Sequence, residues 1–189
     1  MTPISQLIFD IDDALNALNI KHAFGGALAL AYYAEPRGTI DIDFNVETPY
    51  DSRDQLLNEF ANTGWQANEG ETESPPAAGI RLRNPDERVV MDVFFTFDAY
   101  HDDVLANSVR KPFVFGTRRG DLPFLAANDL AVFKISFARP KDWVDLRDMV
   151  EAGTPLDVDY VERQLVRFRG PSAYPAVARF RALVSASSQ

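Results

Sequence analysis

The sequence predicts an α+β fold, and three observations carry that prediction. Stretches with strand character concentrate in the first ~115 of the 189 residues and helical periodicity fills the rest, a segregation that favours α+β over a doubly wound parallel sheet. Ile40, Ile42, Phe44 and Val46 alternate with Asp41, Asp43 and Asn45, the period-two pattern of a strand with one apolar and one polar face. Just upstream, His22-Ala23-Phe24 runs into Gly25-Gly26 and then into the helix formers Ala27 to Ala34, giving the local order strand, glycine pair, helix.

Taken in order, Ile4, Leu7, Ile8, Ile11, Leu15 and Leu18 recur at spacings of three and four, predicting an amphipathic first helix that ends near Asn19. Pro36-Arg37-Gly38 breaks the helix that follows the glycine pair. Asp51 to Ala61 reads as a helix closed near Gly64, with Leu56, Leu57 and Phe60 on its buried side. Glu69 to Ala78 is acidic, bears prolines and has no periodicity, so it is expected as a loop. Ile80 to Arg83 and Arg88 to Phe97 read as a hairpin around Asn84-Pro85-Asp86-Glu87. The second arm, Val89 to Phe95, is apolar except for Asp92. A mixed stretch follows to Asp121, and helices are then expected over Asn128 to Ala138, Asp142 to Glu151, Asp157 to Phe168 and Ser172 to Val184. The predicted organisation is a sheet-bearing core over 1–115 and a helical C-terminal region over 116–189, packed as one domain with the core or beside it.

Composition narrows the function classes. With 46% hydrophobic residues the chain can supply a sizeable core. The absence of cysteine excludes a disulfide framework, cysteine-type zinc sites and thiol catalysis, and it fits a reducing compartment. The longest nearly apolar run, Phe24 to Ala34, falls far short of the ~20 residues that span a bilayer, and Met1 to Asp10 has no basic segment ahead of an apolar one. The cytoplasm is therefore expected, with no membrane partner. A net charge of −9 argues against binding long duplex nucleic acid, which draws on Lys and Arg to displace counterions. The charge is uneven: residues 163–189 carry five arginines and no acid, either a solvated helical face or a contact for phosphate or an acidic partner.

The chemistry rests on the glycine pair and the acids. Asp41 and Asp43, two apart on a strand, point to one face. Two carboxylates there, with Asp92 from an otherwise apolar strand as a third, can grip two Mg²⁺ ions held ~3.5–4 Å apart for phosphoryl chemistry. A lone carboxylate in an apolar strand is costly without a cation or hydrogen bonds, and a metal explains it. Gly25-Gly26 leaves room for phosphates beside backbone N–H groups. Each motif alone is a common accident; strand, Gly-Gly, helix, Asp-x-Asp strand and a later strand with a solitary Asp form a much narrower pattern. The reaction this pattern suits is transfer of a nucleotidyl group.

On these residues the chain resembles the DNA polymerase beta-like nucleotidyltransferase superfamily. Phe24-Gly25-Gly26-Ala27-Leu28-Ala29 and Arg37-Gly38-Thr39-Ile40-Asp41-Ile42-Asp43-Phe44 are most similar to its AbiEii/AbiGii-type toxin branch. Leu130-Ala131-Val132-Phe133-Lys134 and Arg139-Pro140-Lys141-Asp142-Trp143-Val144-Asp145-Leu146 resemble the same branch, and the resemblance spans residues ~22 to ~150. It implies a nucleotidyltransferase fold, a mixed β-sheet flanked by helices with a helical C-terminal part. It also implies Mg²⁺ or Mn²⁺ as cofactor and transfer of NMP from an NTP to a hydroxyl on a tRNA, a protein or a small molecule. A toxin of a toxin–antitoxin or abortive-infection system, with an antitoxin protein as partner, is one role it suggests.

Carried over by position, Asp41 and Asp43 become metal ligands and Asp92 the third acid, near the attacking hydroxyl. Gly25 and Gly26 would meet the triphosphate, with Arg37, Thr39 and Lys134 in the nucleotide-binding set and Asp142 or Asp145 as acids of the helical part. Ala27 departs from the pattern, since many members have a serine after or within the glycine pair, and the fourteen residues between glycines and acids exceed the gap in compact members.

Structural alternatives stand beside these roles. Arg37 could pair with Asp41 or Glu35 and fix its loop, Lys134 could be a solvated helix lysine, Asp142 could start its helix, and Asp145 could make an i, i+3 interaction. His22 and His101 are expected to have no catalytic part, and the absence of a Gly-x-Ser-x-Gly elbow disfavours a serine hydrolase. Two rival functions share the acids: a catalytically inactive nucleotide-binding or regulatory module, and a metal-dependent phosphoesterase with water as acceptor.

Overall fold

The computed structural model describes residues 2–67, 79–85 and 87–186; the loop expected over 69–78 lies outside the described residues. The elements in chain order are α1 (Ile4–Ala17), β1 (His22–Phe24), α2 (Gly26–Leu30), β2 (Asp41–Pro49), α3 (Arg53–Asn62), β3 (Gln66–Ala67), β4 (Ile80–Arg83), β5 (Val90–Thr96), α4 (Ala99–Ala106), β6 (Val109–Phe115), β7 (Arg118–Phe124), α5 (Ala127–Phe137), α6 (Pro140–Glu151), α7 (Val158–Arg169) and α8 (Tyr174–Ala186). They divide between two compact units, Met1–Leu28 with Gly38–Phe124, and Ala29–Arg37 with Leu125–Gln189.

The first unit holds a mixed seven-stranded sheet in the order β3-β4-β5-β2-β1-β7-β6. β2 lies at its centre, parallel to β5 and antiparallel to β1, while β1 runs parallel to β7. Because β5 is buried along nearly its whole length, its sequence is a continuous apolar run rather than an alternation. Phe24, Phe44 and Phe124, all fully buried on three adjoining strands, pack with ring centroids 6.2 and 5.7 Å from that of Phe24. α1 buries Leu7, Ile8, Ile11 and Leu15 at the expected helical spacing. Its Asp12 accepts from the buried His22 at 3.0 Å, tying α1 to the start of β1. His22 thus has a structural partner.

The mixed stretch ahead of Asp121 is structured: it forms α4 and the β6–β7 hairpin. Asp98 caps α4 by accepting from the backbone N–H groups of Tyr100 and His101, and also meets the His101 ring at 2.8 Å. The His101 side chain is buried. The edge strand β6 alternates half-buried with exposed positions, and Arg110, Lys111 and Pro112 protect it from further pairing.

The second unit is helical. α5 buries Leu130, Ala131, Val132 and Ile135, with little distinction between faces, the mark of a helix enclosed by others. Leu146 and Met149 of α6, Val161 and Leu165 of α7 and Phe180 of α8 complete that core. The segment Ala29–Arg37 belongs to this unit: Tyr33 donates to the Leu125 carbonyl at 2.9 Å, and Thr154 donates to the Tyr33 carbonyl. Burial, with the charge of Asp129, pushes the Tyr33 hydroxyl up to about 12. In the arginine-rich tail, Arg181 pairs with Asp159 and Glu162, Arg179 stacks 3.9 Å over the Trp143 ring and Arg169 donates to the Ser136 carbonyl.

Candidate active site

Asp41 and Asp43 open β2, and the apolar residues between and beyond them, Ile42, Phe44 and Val46, are fully buried on the opposite face. That burial fixes which way the acids point, since a one-residue slip would drive both carboxylates into the core. The parallel register of β2 with β5 sets Asp43 directly beside Asp92. The antiparallel register of β5 with β4 sets Asp92 opposite Arg81. On the other side of β2, the Gly25 N–H donates to the Asp43 carbonyl at 2.8 Å. A single lateral row therefore crosses three strands, Arg81 on β4, Asp92 on β5 and Asp43 on β2, and reaches the glycine pair just beyond β1, with Asp41 two residues from Asp43 on the same face.

Gly26 is shaped to Asp43. It adopts φ +52°, and a Cβ placed on it would lie 1.8 Å from Asp43 Oδ2 and 2.6 Å from its Cγ. Only glycine leaves that carboxylate its position. α2 is only five residues long, so the contribution of the glycine pair is space and backbone N–H groups rather than a strong helix dipole. Thr39 brackets the entry of β2, its hydroxyl lying 3.0 Å from the Asp41 N–H and 3.1 Å from the Asp41 carbonyl.

Arg81 was not singled out by the sequence, yet it is the partner of Asp92. Its Nε and Nη2 donate to the two carboxylate oxygens at 2.7 and 2.6 Å, a bidentate fork. Those bonds hold the guanidinium above its ordinary pKa against the opposing effect of burial, and the charges of Asp92, Asp41 and Asp43 add to the shift. The signal available in sequence was the alternation Ile80-Arg81-Leu82-Arg83, which puts Arg81 on the polar face of a strand that pairs with β5.

The oxygens on this face suit a hard divalent cation. Asp41 and Asp43 offer carboxylates, and Asn45, two residues further along the same face, carries a buried Oδ1 with no hydrogen-bond partner among the described residues. As they stand, no three His, Cys, Asp or Glu side chains among the described residues converge to hold an ion, and the Asp92 carboxylate is engaged by Arg81.

The remaining expected residues gather in the helical unit. Asp145, 1% exposed, accepts from Arg37 through Nε and Nη2 at 2.8 and 2.9 Å and from Lys134 Nζ at 2.5 Å. Arg37 thus pairs with Asp145, and Lys134 is buried rather than solvated. Burial lowers the Lys134 pKa, offset in part by its bond to Asp145. For Asp145, burial raises the carboxyl, but the hydrogen bonds from Arg37 and Lys134 outweigh it and hold the group below its ordinary value. Asp142 sits at the start of α6, closing a capping box with Arg139 ahead of Pro140. The structure therefore collects the expected residues into two groups, Gly25, Gly26, Thr39, Asp41, Asp43 and Asp92 in the sheet unit and Arg37, Lys134, Asp142 and Asp145 in the helical one.

No protein-family model matches the sequence, and no curated protein matches it by sequence. In three dimensions the chain is similar to solved nucleotidyltransferases. The solution structure of the antibiotic-resistance factor ANT(2'')-Ia matches with a TM-score of 0.60 and 17% identity, over 94% of this chain and 96% of its own. The crystal structure of ANT(2'')-Ia in complex with adenylyl-2''-tobramycin matches at 0.54 and 16%, over 96% and 98%. The lincomycin-bound lincosamide antibiotic adenylyltransferase LnuA matches at 0.51 and 10%, over 79% and 96%. The chain has the fold of these proteins, a mixed α+β sheet flanked by helices.

Proposed function

We propose that the chain is a metal-dependent nucleotidyltransferase that moves NMP from an NTP to a hydroxyl of a small, cationic acceptor. The observation that carries the reading is the row of acids: Asp43 and Asp92 in direct register, Asp41 on the same face and Gly26 cut to the shape of Asp43, on a fold shared with antibiotic nucleotidyltransferases. Asp41 and Asp43 would hold Mg²⁺ or Mn²⁺, with the Asn45 amide oxygen close on the same face. When bound, the ion neutralises phosphate charge and steadies the pyrophosphate leaving group. Gly25 and Gly26, which carry no side chains of their own, would lie along the triphosphate beside Asp43, whose carboxylate fills the space a side chain at position 26 would need. The acceptor oxygen attacks the α-phosphorus, the bond from that phosphorus to the bridging oxygen of the β-phosphate breaks, pyrophosphate leaves, and the hydroxyl proton passes to Asp92 and on to solvent.

The acceptor class follows from charge and from the neighbours. A chain with net charge −9 attracts cations, and ANT(2'')-Ia is seen with adenylyl-2''-tobramycin. Incubation with Mg²⁺ or Mn²⁺, α-labelled NTPs and tobramycin or lincomycin is expected to label an acceptor and release pyrophosphate. Asp41→Asn and Asp43→Asn, nearly isosteric, should each lower transfer by at least about 10³-fold with an unchanged circular dichroism spectrum, since each removes a charged group aimed at the transition state. Failure of all acceptors, with no metal-dependent NTP binding, sinks the reading; binding without turnover marks an inactive module instead, and free NMP with no labelled acceptor marks a phosphoesterase.

A second reading, a toxin of the AbiEii type acting in the cytoplasm and held by an antitoxin, has its own support. Arg37, Lys134 and Asp145, drawn from three segments that resemble that branch, meet in one cluster in which Lys134 and Asp145 are buried. Labelling of a tRNA end or a protein in place of an antibiotic would favour it.

A further inference from the structure

Three carboxylates set side by side on one sheet face repel one another unless a cation lies among them. In this sheet the cation is supplied by the chain. Arg81 reaches Asp92 across the β4–β5 ladder with a two-bond fork, while Asp92 itself stands in register with Asp43. Asp92 is 15% exposed in its side chain and Arg81 38%, so the pair is partly open to solvent rather than sealed in the core. An ordinary cross-strand pair would serve sheet stability alone; this one ties up one of the three acids the proposed chemistry needs.

We propose that Arg81 is a built-in counter-ion of the carboxylate row, a positioning residue that occupies Asp92 until a divalent cation binds and thereby sets the affinity for that cation. The inference rests on the reading of Asp41 and Asp43 as cation ligands. Before the ion binds, Arg81 neutralises the row and allows it to fold without metal. When the ion binds, its charge takes over that neutralisation, Asp92 is released to face the acceptor hydroxyl, and the guanidinium is left beside a site that receives phosphates, its natural bidentate partners. Affinity for the ion is then held low in the absence of nucleotide, because the ion competes with a resident cation.

The test titrates Mn²⁺ alone, without nucleotide, into the full-length wild type and into Arg81→Gln and Arg81→Lys, reading free Mn²⁺ by electron paramagnetic resonance and fold by circular dichroism. Arg81→Gln is expected to bind Mn²⁺ on the order of tenfold more tightly than wild type, and Arg81→Lys, which keeps the charge but loses the fork, by a smaller factor. If Arg81→Gln is poorly folded, a gain in Arg81→Lys carries the proposal and its absence overturns it. A folded Arg81→Gln with unchanged or weaker affinity, beside a wild type that performs Mn²⁺-dependent transfer, overturns the counter-ion role and leaves the proposed activity standing. No Mn²⁺ binding by any of the proteins overturns both.

Discussion

Gly26 and Asp43 are fitted to one another atom by atom, and this is where the site is most sensitive to a single methyl group. A Cβ at position 26 would fall 1.8 Å from Asp43 Oδ2 at φ +52°, so Gly26→Ala meets both a steric and a backbone penalty. The expected cost is about 1–2 kcal/mol in urea denaturation, with transfer lowered by roughly 100-fold because Asp43 must turn aside. A Gly26→Ala protein with wild-type stability and wild-type transfer would show that the carboxylate does not need that space. The importance of the pair was legible in sequence because Gly-Gly and Asp-x-Asp are local patterns. Its mechanism was not, because the contact joins the start of α2 to β2 across the sheet. Arg81 escaped for a related reason: its partner depends on hairpin register. A four-residue turn at Asn84–Glu87 would set Arg81 opposite Val90, whereas the strands end at Arg83 and resume at Val90, moving the partner by two residues to Asp92. Parity, and hence the face, follows from alternation; the partner follows only from the length of the turn.

Among the elements, the segment Ala29–Arg37 is held to α5 and α6 by one carboxylate. Asp145 accepts from Arg37 on that segment and from Lys134 on α5. Asp145→Asn leaves two cations facing a neutral group, one of them buried, and should cost about 3–5 kcal/mol. The pH dependence has a definite sign. The Asp145 carboxyl lies below its ordinary value of 3.8, so its contribution is present above that pH and is lost as pH falls through the lower folded value. Urea denaturation of wild type and Asp145→Asn should therefore give a constant difference between pH 5 and 8 that shrinks below pH 4; a difference independent of pH down to acid unfolding would assign the effect to packing. The helices of this unit were largely legible, since α6 and α7 follow apolar periodicity and α6 carries a proline and an acid at its start. The β6–β7 hairpin was not, because Arg110, Lys111 and Pro112, which protect an edge, also break the pattern of a strand.

At the scale of the whole molecule, the acids proposed for chemistry and the buried Asp145 cluster fall in different compact units, which the chain enters twice each. The sequence gives the broad order, strands then helices, but local pattern cannot reveal that residues 29–37 belong with the helical part, since that depends on contacts made about a hundred residues later through Leu125, Asp145 and Thr154. This division makes ligand binding readable by heat. A nucleotide with Mn²⁺ that binds only the folded sheet unit stabilises it by mass action, about 2.7 kcal/mol at a hundred times its Kd. For a chain of this size that corresponds to roughly 5–10 °C in Tm. Differential scanning calorimetry should thus show a shift with Mn²⁺ and NTP together, and none in Asp41→Asn or Asp43→Asn. If the two units unfold separately, only one transition should move, because independent cooperative units respond independently to a ligand that binds one of them. A shift equal in wild type and both variants would place the nucleotide away from the carboxylate row, and a wild type indifferent to both ligands would remove the thermodynamic basis for transfer at that row.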